Sequence, residues 1–168
     1  MRASLVAEIR SSLPTITVDW SLAFQRPETK AAAAYWANLC ADRPMPSRAE
    51  LRPGAMRSFL SYLSLMDFDP QTGIYKVGLQ STHSREVFGN LKGRKFGELF
   101  PPDVAQRWRD SFNLVRDRPE PVRLWTQVGT QGKTWLQCEA LIAPLSAGPE
   151  SSELASLFWV FVSWERTE

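Results

Sequence analysis

The segment Leu157–Trp164, LFWVFVSW, constrains this chain more than any other stretch. Its alternation reads as a strand. Leu157, Trp159 and Phe161 face one way, and Phe158, Val160, Val162 and Trp164 face the other. A strand that is apolar on both faces is covered on both faces. A helical insertion can cover one side of its sheet. The other side must meet the N-terminal helix, a second subunit or both.

The rest of the sheet follows from turn chemistry and alternation. Tyr62–Asp69 reads as a strand, DPQTG as a hairpin turn with Gly73 at positive φ, and Tyr75, Val77 and Leu79 as one face of the returning strand. Residues 79–102 form the insertion. In it, Ser81 or Thr82 caps a short helix over Ser84–Phe88, Gly89 ends that helix, Gly93 makes a sharp turn and Lys95–Leu99 a helical turn. Pro101 and Pro102 start a longer helix over Asp103–Asp117. Val104, Trp108, Phe112 and Val115 line its apolar side, with Gln106, Arg107, Arg109, Asp110, Asn113 and Arg116 opposite. Strands over Pro121–Val128, Thr134–Leu145 and Ala155–Trp164 complete the sheet, the first two joined by the turn GTQGK.

Ahead of the sheet, Leu5, Ile9 and Leu13 predict a short helix over residues 1–13, stopped by Pro14. Ile16, Val18 and Trp20 then alternate as extended chain. Pro27 opens a helix over Glu28–Cys40, with an apolar stripe of Ala32, Tyr35, Trp36, Leu39 and Cys40. Ser47 and Glu50 have capping-box spacing, and a second short helix is expected from Arg52 or Pro53 to Tyr62. The order predicts an α+β fold: a five-stranded antiparallel sheet with helices on one face, plus an N-terminal helical extension. The expected division is an arm with helices over 1–62 and a domain over 63–165.

Three runs then resemble those of a family of stand-alone PAS-like proteins from alphaproteobacteria. The first is Tyr35, Trp36 and Leu39 followed by Met45, Pro46, Ser47, Arg48 and Ala49. The second is Phe88, Gly89, Leu91, Gly93, Arg94, Glu98 and Leu99, and the third is Glu139, Leu141, Pro144, Leu145 and Ser146. The resemblance covers residues 34–165. It departs at Ser81-Thr82, where that family usually has Gly-Thr. It implies the PAS fold and a bacterial sensory or protein-interaction domain in signal transduction, with no assigned cofactor. Haem-binding PAS domains commonly use a histidine on the long helix, and Asp103–Asp117 has none. Light-sensing flavin PAS domains use a reactive cysteine near the first short helices, and THSREVFGNL has none. Neither group is expected here.

Direct chemistry is sparse. His83 is the single histidine, so neither a catalytic triad nor a histidine metal site has its partners in any motif. The run KGRKFG over 92–97 is a basic turn, either solvated or in contact with an anion. Cys40 and Cys138 sit among apolar neighbours and read as buried reduced thiols. A net charge of +2 argues against nucleic acid as a partner. No apolar run approaches the roughly 20 residues that cross a bilayer. Glu8 and Arg10 interrupt the first apolar stretch, so it does not read as a secretory signal. The expectation is a cytoplasmic protein that is not an enzyme and does not associate with membranes.

Two functions remain open. One is a module that works through protein–protein contact with a regulatory partner, as a homodimer, with Tyr35, Trp36, Leu39, Trp159 and Trp164 as candidate interface residues. The other is a small-molecule sensor with a cleft under the long helix, lined by Val77, Leu79, Val87, Phe88, Phe96, Leu99, Trp108, Phe112, Leu124 and Cys138. The same residues can equally fill a core.

Overall fold

The computed structural model describes residues 5–98, 100–129 and 135–165. The strands are β1 (Val6–Ile9), β2 (Ile16–Asp19), β3 (Leu63–Asp69), β4 (Ile74–Leu79), β5 (Val122–Gly129), β6 (Trp135–Ser146) and β7 (Leu154–Trp164). The helices are α1 (Pro27–Cys40), α2 (Thr82–Phe88) and α3 (Pro102–Asp117). One antiparallel sheet runs in the order β1-β2-β5-β6-β7-β3-β4. The five expected strands are all present, and the arm adds two more at one edge.

The helix expected over residues 1–13 is corrected: Val6–Ile9 is an edge strand paired with β2. A helix of that length gains little alone, whereas a strand beside Ile16–Asp19 satisfies its backbone through a partner ten residues on. The short helix expected up to Tyr62 is also corrected. It is replaced by 3-10 turns at Pro53–Ala55 and Leu60–Tyr62, after an earlier one at Arg48–Glu50. Ser47 and Glu50 close the capping box. Ser146 N–H donates to the Pro46 carbonyl at 2.9 Å, which stitches this connection to the end of β6.

Both faces of β7 are covered by the chain itself. Leu157, Trp159 and Phe161 pack with Trp108, Phe112 and Val115 of α3. Phe158, Val160 and Val162 pack with Ala32, Trp36 and Cys40 of α1 and with Phe59. The sheet is thus the middle of three layers, with α1 on one side and α2 and α3 on the other. The Trp36 indole N–H donates to the Pro144 carbonyl at 2.9 Å and pins α1 to β6. No helix among the described residues is long and apolar enough to cross a membrane.

Candidate functional site

The insertion after β4 closes over one face of the sheet and is held by short-range capping. Ser81 Oγ accepts the Ser84 N–H at 2.9 Å and starts α2, while Gly89, at φ 81°, ends it. Gln80 Nε2 donates to the Gly89 carbonyl at 2.8 Å, and its Oε1 accepts the Leu91 N–H at 2.8 Å. Gln80 therefore ties both ends of the loop that follows α2.

Aromatic rings take up the space between α3 and the sheet. Trp159 lies 5.2 Å from Trp108 and 5.4 Å from Phe112, ring centre to ring centre, and Phe96 lies 5.1 Å from Phe112. Phe88 meets Phe161 at 5.0 Å. These are ordinary contact distances for packed rings. Of the proposed cleft residues, Val77, Phe96, Trp108, Phe112, Leu124 and Cys138 are buried in this cluster, and Val87 and Phe88 are half-buried against it. Leu99 lies outside the described residues. Leu79 is corrected: it is 39% exposed, away from the cluster. The pairing shifts between Leu65 and Met66, so Gly78 is an extra residue and Leu79 stands opposite Leu65 on the other face. A side chain at Gly78 would put its Cβ 2.5 Å from the Asp67 carboxylate, which is held by Arg48.

Arg107, placed by helical spacing on the exposed face of α3, is also corrected, since only 5% of it is exposed. Its guanidinium donates to the Gln127 carbonyl at 3.1 Å, and also to Thr126 Oγ1 and the Pro14 carbonyl. No carboxylate pairs with it among the described residues, and burial lowers its pKa. It is a structural clasp between the arm, α3 and β5.

A second polar centre lies on the α1 side. Glu139 is fully buried and accepts the backbone N–H groups of Arg26 at 2.9 Å and Gln25 at 3.0 Å, together with the Thr29 hydroxyl. Arg123 Nε donates to the same carboxylate at 2.8 Å and reaches Asp19 at 3.4 Å. A strand residue thereby caps the N-terminus of α1. Burial alone would raise the Glu139 pKa, but the bonds from Thr29, Arg26, Gln25 and Arg123 hold it below the ordinary glutamate value.

His83 lies in α2, between the rings of Tyr62 and Phe161. Ser163 donates its backbone N–H to Nε2 at 3.1 Å, and the Ser163 hydroxyl lies 2.7 Å from the same atom. A backbone N–H can only donate, so Nε2 carries a lone pair and the folded ring is neutral. Burial pushes its pKa down, against the pull of Glu86 and Glu28. The unfolded chain binds a proton near pH ~6.5. The stabilisation from this residue is therefore complete above that pH and is lost as pH falls below it. Urea unfolding at pH 7.5 and pH 5.5 is expected to show a larger loss for the wild type than for His83→Gln.

The proposed interface residues are mostly occupied internally. Trp159 is fully buried under α3, and its place on an interface is corrected by that burial. Trp36, on α1, is buried against the sheet. Tyr35 and Leu39 are half-buried, and the Tyr35 hydroxyl accepts the Arg52 N–H at 3.0 Å. Trp164 remains half-exposed, under the Arg26 guanidinium at 3.8 Å. Residues directly opposite in a sheet share a face, as do residues two apart. The pairs Gln137–Trp164, Gln127–Gln137 and Gly129–Trp135 therefore place Trp125, Trp135 and Trp164 on one face, beyond the start of α1. The Trp125 and Trp164 rings lie 5.5 Å apart, and Trp135 is 45% exposed. Trp125 and Trp135 are absent from the sequence-based candidates. The available signal was Trp125 standing out of phase with the apolar Val122, Leu124 and Val128.

A sheet covered by an α2–α3 lid on one face and an N-terminal helix on the other defines a PAS-like domain. The family model described as PAS domain matches residues 24–157, and the chain belongs to that family. A crystal structure of a sensory box histidine kinase/response regulator from Burkholderia thailandensis E264 is similar over 67% of this chain and 84% of that chain, at 14% identity and a TM-score of 0.42. No curated protein gives a significant match.

Proposed function

We propose that this PAS module is a non-catalytic cytoplasmic regulator of the alphaproteobacterial kind, acting through protein–protein contact as a homodimer. The observation that carries this reading is the face bearing Trp125, Trp135 and Trp164, with Trp135 45% exposed. Tryptophan is the residue type that most often dominates contact energy at interfaces.

Sedimentation velocity tests the reading. The wild type is expected to associate at micromolar concentration, and Trp135→Arg to remain monomeric with an unchanged melting temperature. A monomeric wild type, or an association that ignores the substitution, would contradict it.

A second reading, a small molecule held under α3, draws on the Trp159 indole N–H, which is buried without an acceptor among the described residues. A donor in that position could serve a ligand that enters by displacing a ring.

A further inference from the structure

The basic run over 92–97 is built onto the fold rather than left in solvent. Gly93 N–H donates to the Val77 carbonyl and Phe96 N–H to the Tyr75 carbonyl, each at 2.8 Å, so the run lies along the outer edge of β4. This pairing sets Lys95 directly opposite Lys76. Like charges directly opposite each other destabilise a pairing. The carboxylate across from Lys76 on β3 is Asp67, and it is committed to Arg48 at 2.5 Å. Lys76, Lys92, Arg94 and Lys95 are all exposed, and none forms an ion pair among the described residues.

Around the corner from Lys76 lies a cleft of about 330 Å³, lined by Ile74, Tyr75, Lys95, Phe96, Glu98 and Arg109, among others. Arg109 is positioned there. Its guanidinium donates to Gln106 Oε1 at 2.9 Å, and Gln106 in turn donates to Asp110 at 2.7 Å. Gly97 leaves room for it: a Cβ there would lie 3.1 Å from the Arg109 guanidinium, at a φ of +103° that favours glycine.

We propose that this cleft binds a phosphate-bearing small molecule. Lys95 and Arg109 both line the cleft, so a phosphate group seated there meets a lysine and matches the guanidinium fork of Arg109. Tyr75, Phe96 and Ile74 provide an apolar wall for the rest of the ligand, and Glu98 accepts from a hydroxyl or amine on it. The concave shape fits a free molecule better than a flat lipid surface. The site lies outside the ring-filled space beneath α3.

The test is an amide NMR titration with inorganic pyrophosphate at constant ionic strength. Saturable shifts are expected at residues 73–76 and 92–98. Lys95→Gln and Arg109→Gln should each weaken binding by at least about tenfold, and Arg109→Lys should restore part of the loss. Arg118→Gln, a cation elsewhere that is paired with Glu120, should leave binding unchanged. Shifts that do not saturate, or that weaken equally in Arg118→Gln, would reduce the effect to general charge screening and overturn the site. Binding to phosphatidic acid vesicles that pyrophosphate fails to displace would overturn the small-molecule assignment.

Discussion

Glu139→Ala is expected to lower the folding free energy by about 3–5 kcal/mol, the cost of removing one partner from a buried ion pair. The substitution leaves Arg123 buried with only Asp19, which is the more distant of its two carboxylates at 3.4 Å. It also strips the acceptor from Arg26 N–H, Gln25 N–H and Thr29, so α1 loses its cap. Against a typical domain stability of about 5–15 kcal/mol, this is a large fraction. The melting temperature should fall by roughly 6–20 °C. Urea unfolding measures it. The double variant Arg123→Met with Glu139→Leu should recover only part of the loss: it removes the unpaired Arg123 charge, but Arg26 N–H, Gln25 N–H and Thr29 still lack their acceptor and Asp19 loses its cation. The pH dependence has a definite sign. The folded pKa of Glu139 is depressed, so its contribution is present above the unfolded value of about 4.3 and is lost as pH falls through the folded value. The wild type should therefore lose stability more steeply below pH ~4 than the double variant.

Trp159→Ala is expected to cost about 3–5 kcal/mol, as for other large buried aromatics. Trp159 touches Phe96, Trp108, Phe112 and Phe161, so its removal leaves a ring-sized void that these neighbours cannot close without leaving one another. Indole added in solution should enter that void and raise the melting temperature of the variant, while the wild type stays unchanged. A wild type that indole also stabilises would mean that space for a ligand already exists beneath α3. That result would favour the small-molecule reading over protein–protein contact.

Much of this architecture was legible in the residue pattern, because alternation and turn chemistry act locally. The doubly apolar face of β7 demanded cover on both sides, and α1 and α3 supply it. Three features escaped for a common reason: distant contacts outweigh local periodicity. Leu5, Ile9 and Leu13 fit a helix, yet the backbone of Val6–Ile9 is satisfied by pairing with β2. Leu79 continues the alternation of Tyr75 and Val77, yet the extra residue Gly78 turns it to the opposite face. Arg107 falls on the polar side of α3, yet its guanidinium reaches carbonyls in the arm and in β5.

The polar centre around Glu139 was the least legible part of the molecule. Alternation places Glu139 on the α1 face of β6, but its partner Thr29 is 110 residues away. Nothing in a helical or strand period reports such a pairing. The tryptophan face was similarly hidden, since Trp125 and Trp164 come together only once the register of β5, β6 and β7 is known. Trp159 was misplaced because the doubly apolar β7 left open whether a helix or a second subunit covered each face, and α3 covers the Trp159 face completely.

The most direct test of the proposed function is an isotope-filtered NOE experiment on a mixture of labelled and unlabelled chains. It reports contacts between copies only. Cross-chain signals from the indole protons of Trp125, Trp135 and Trp164 are predicted. Signals confined to α2 or α3, or no cross-chain signal at concentrations near a millimolar, would contradict association through this face.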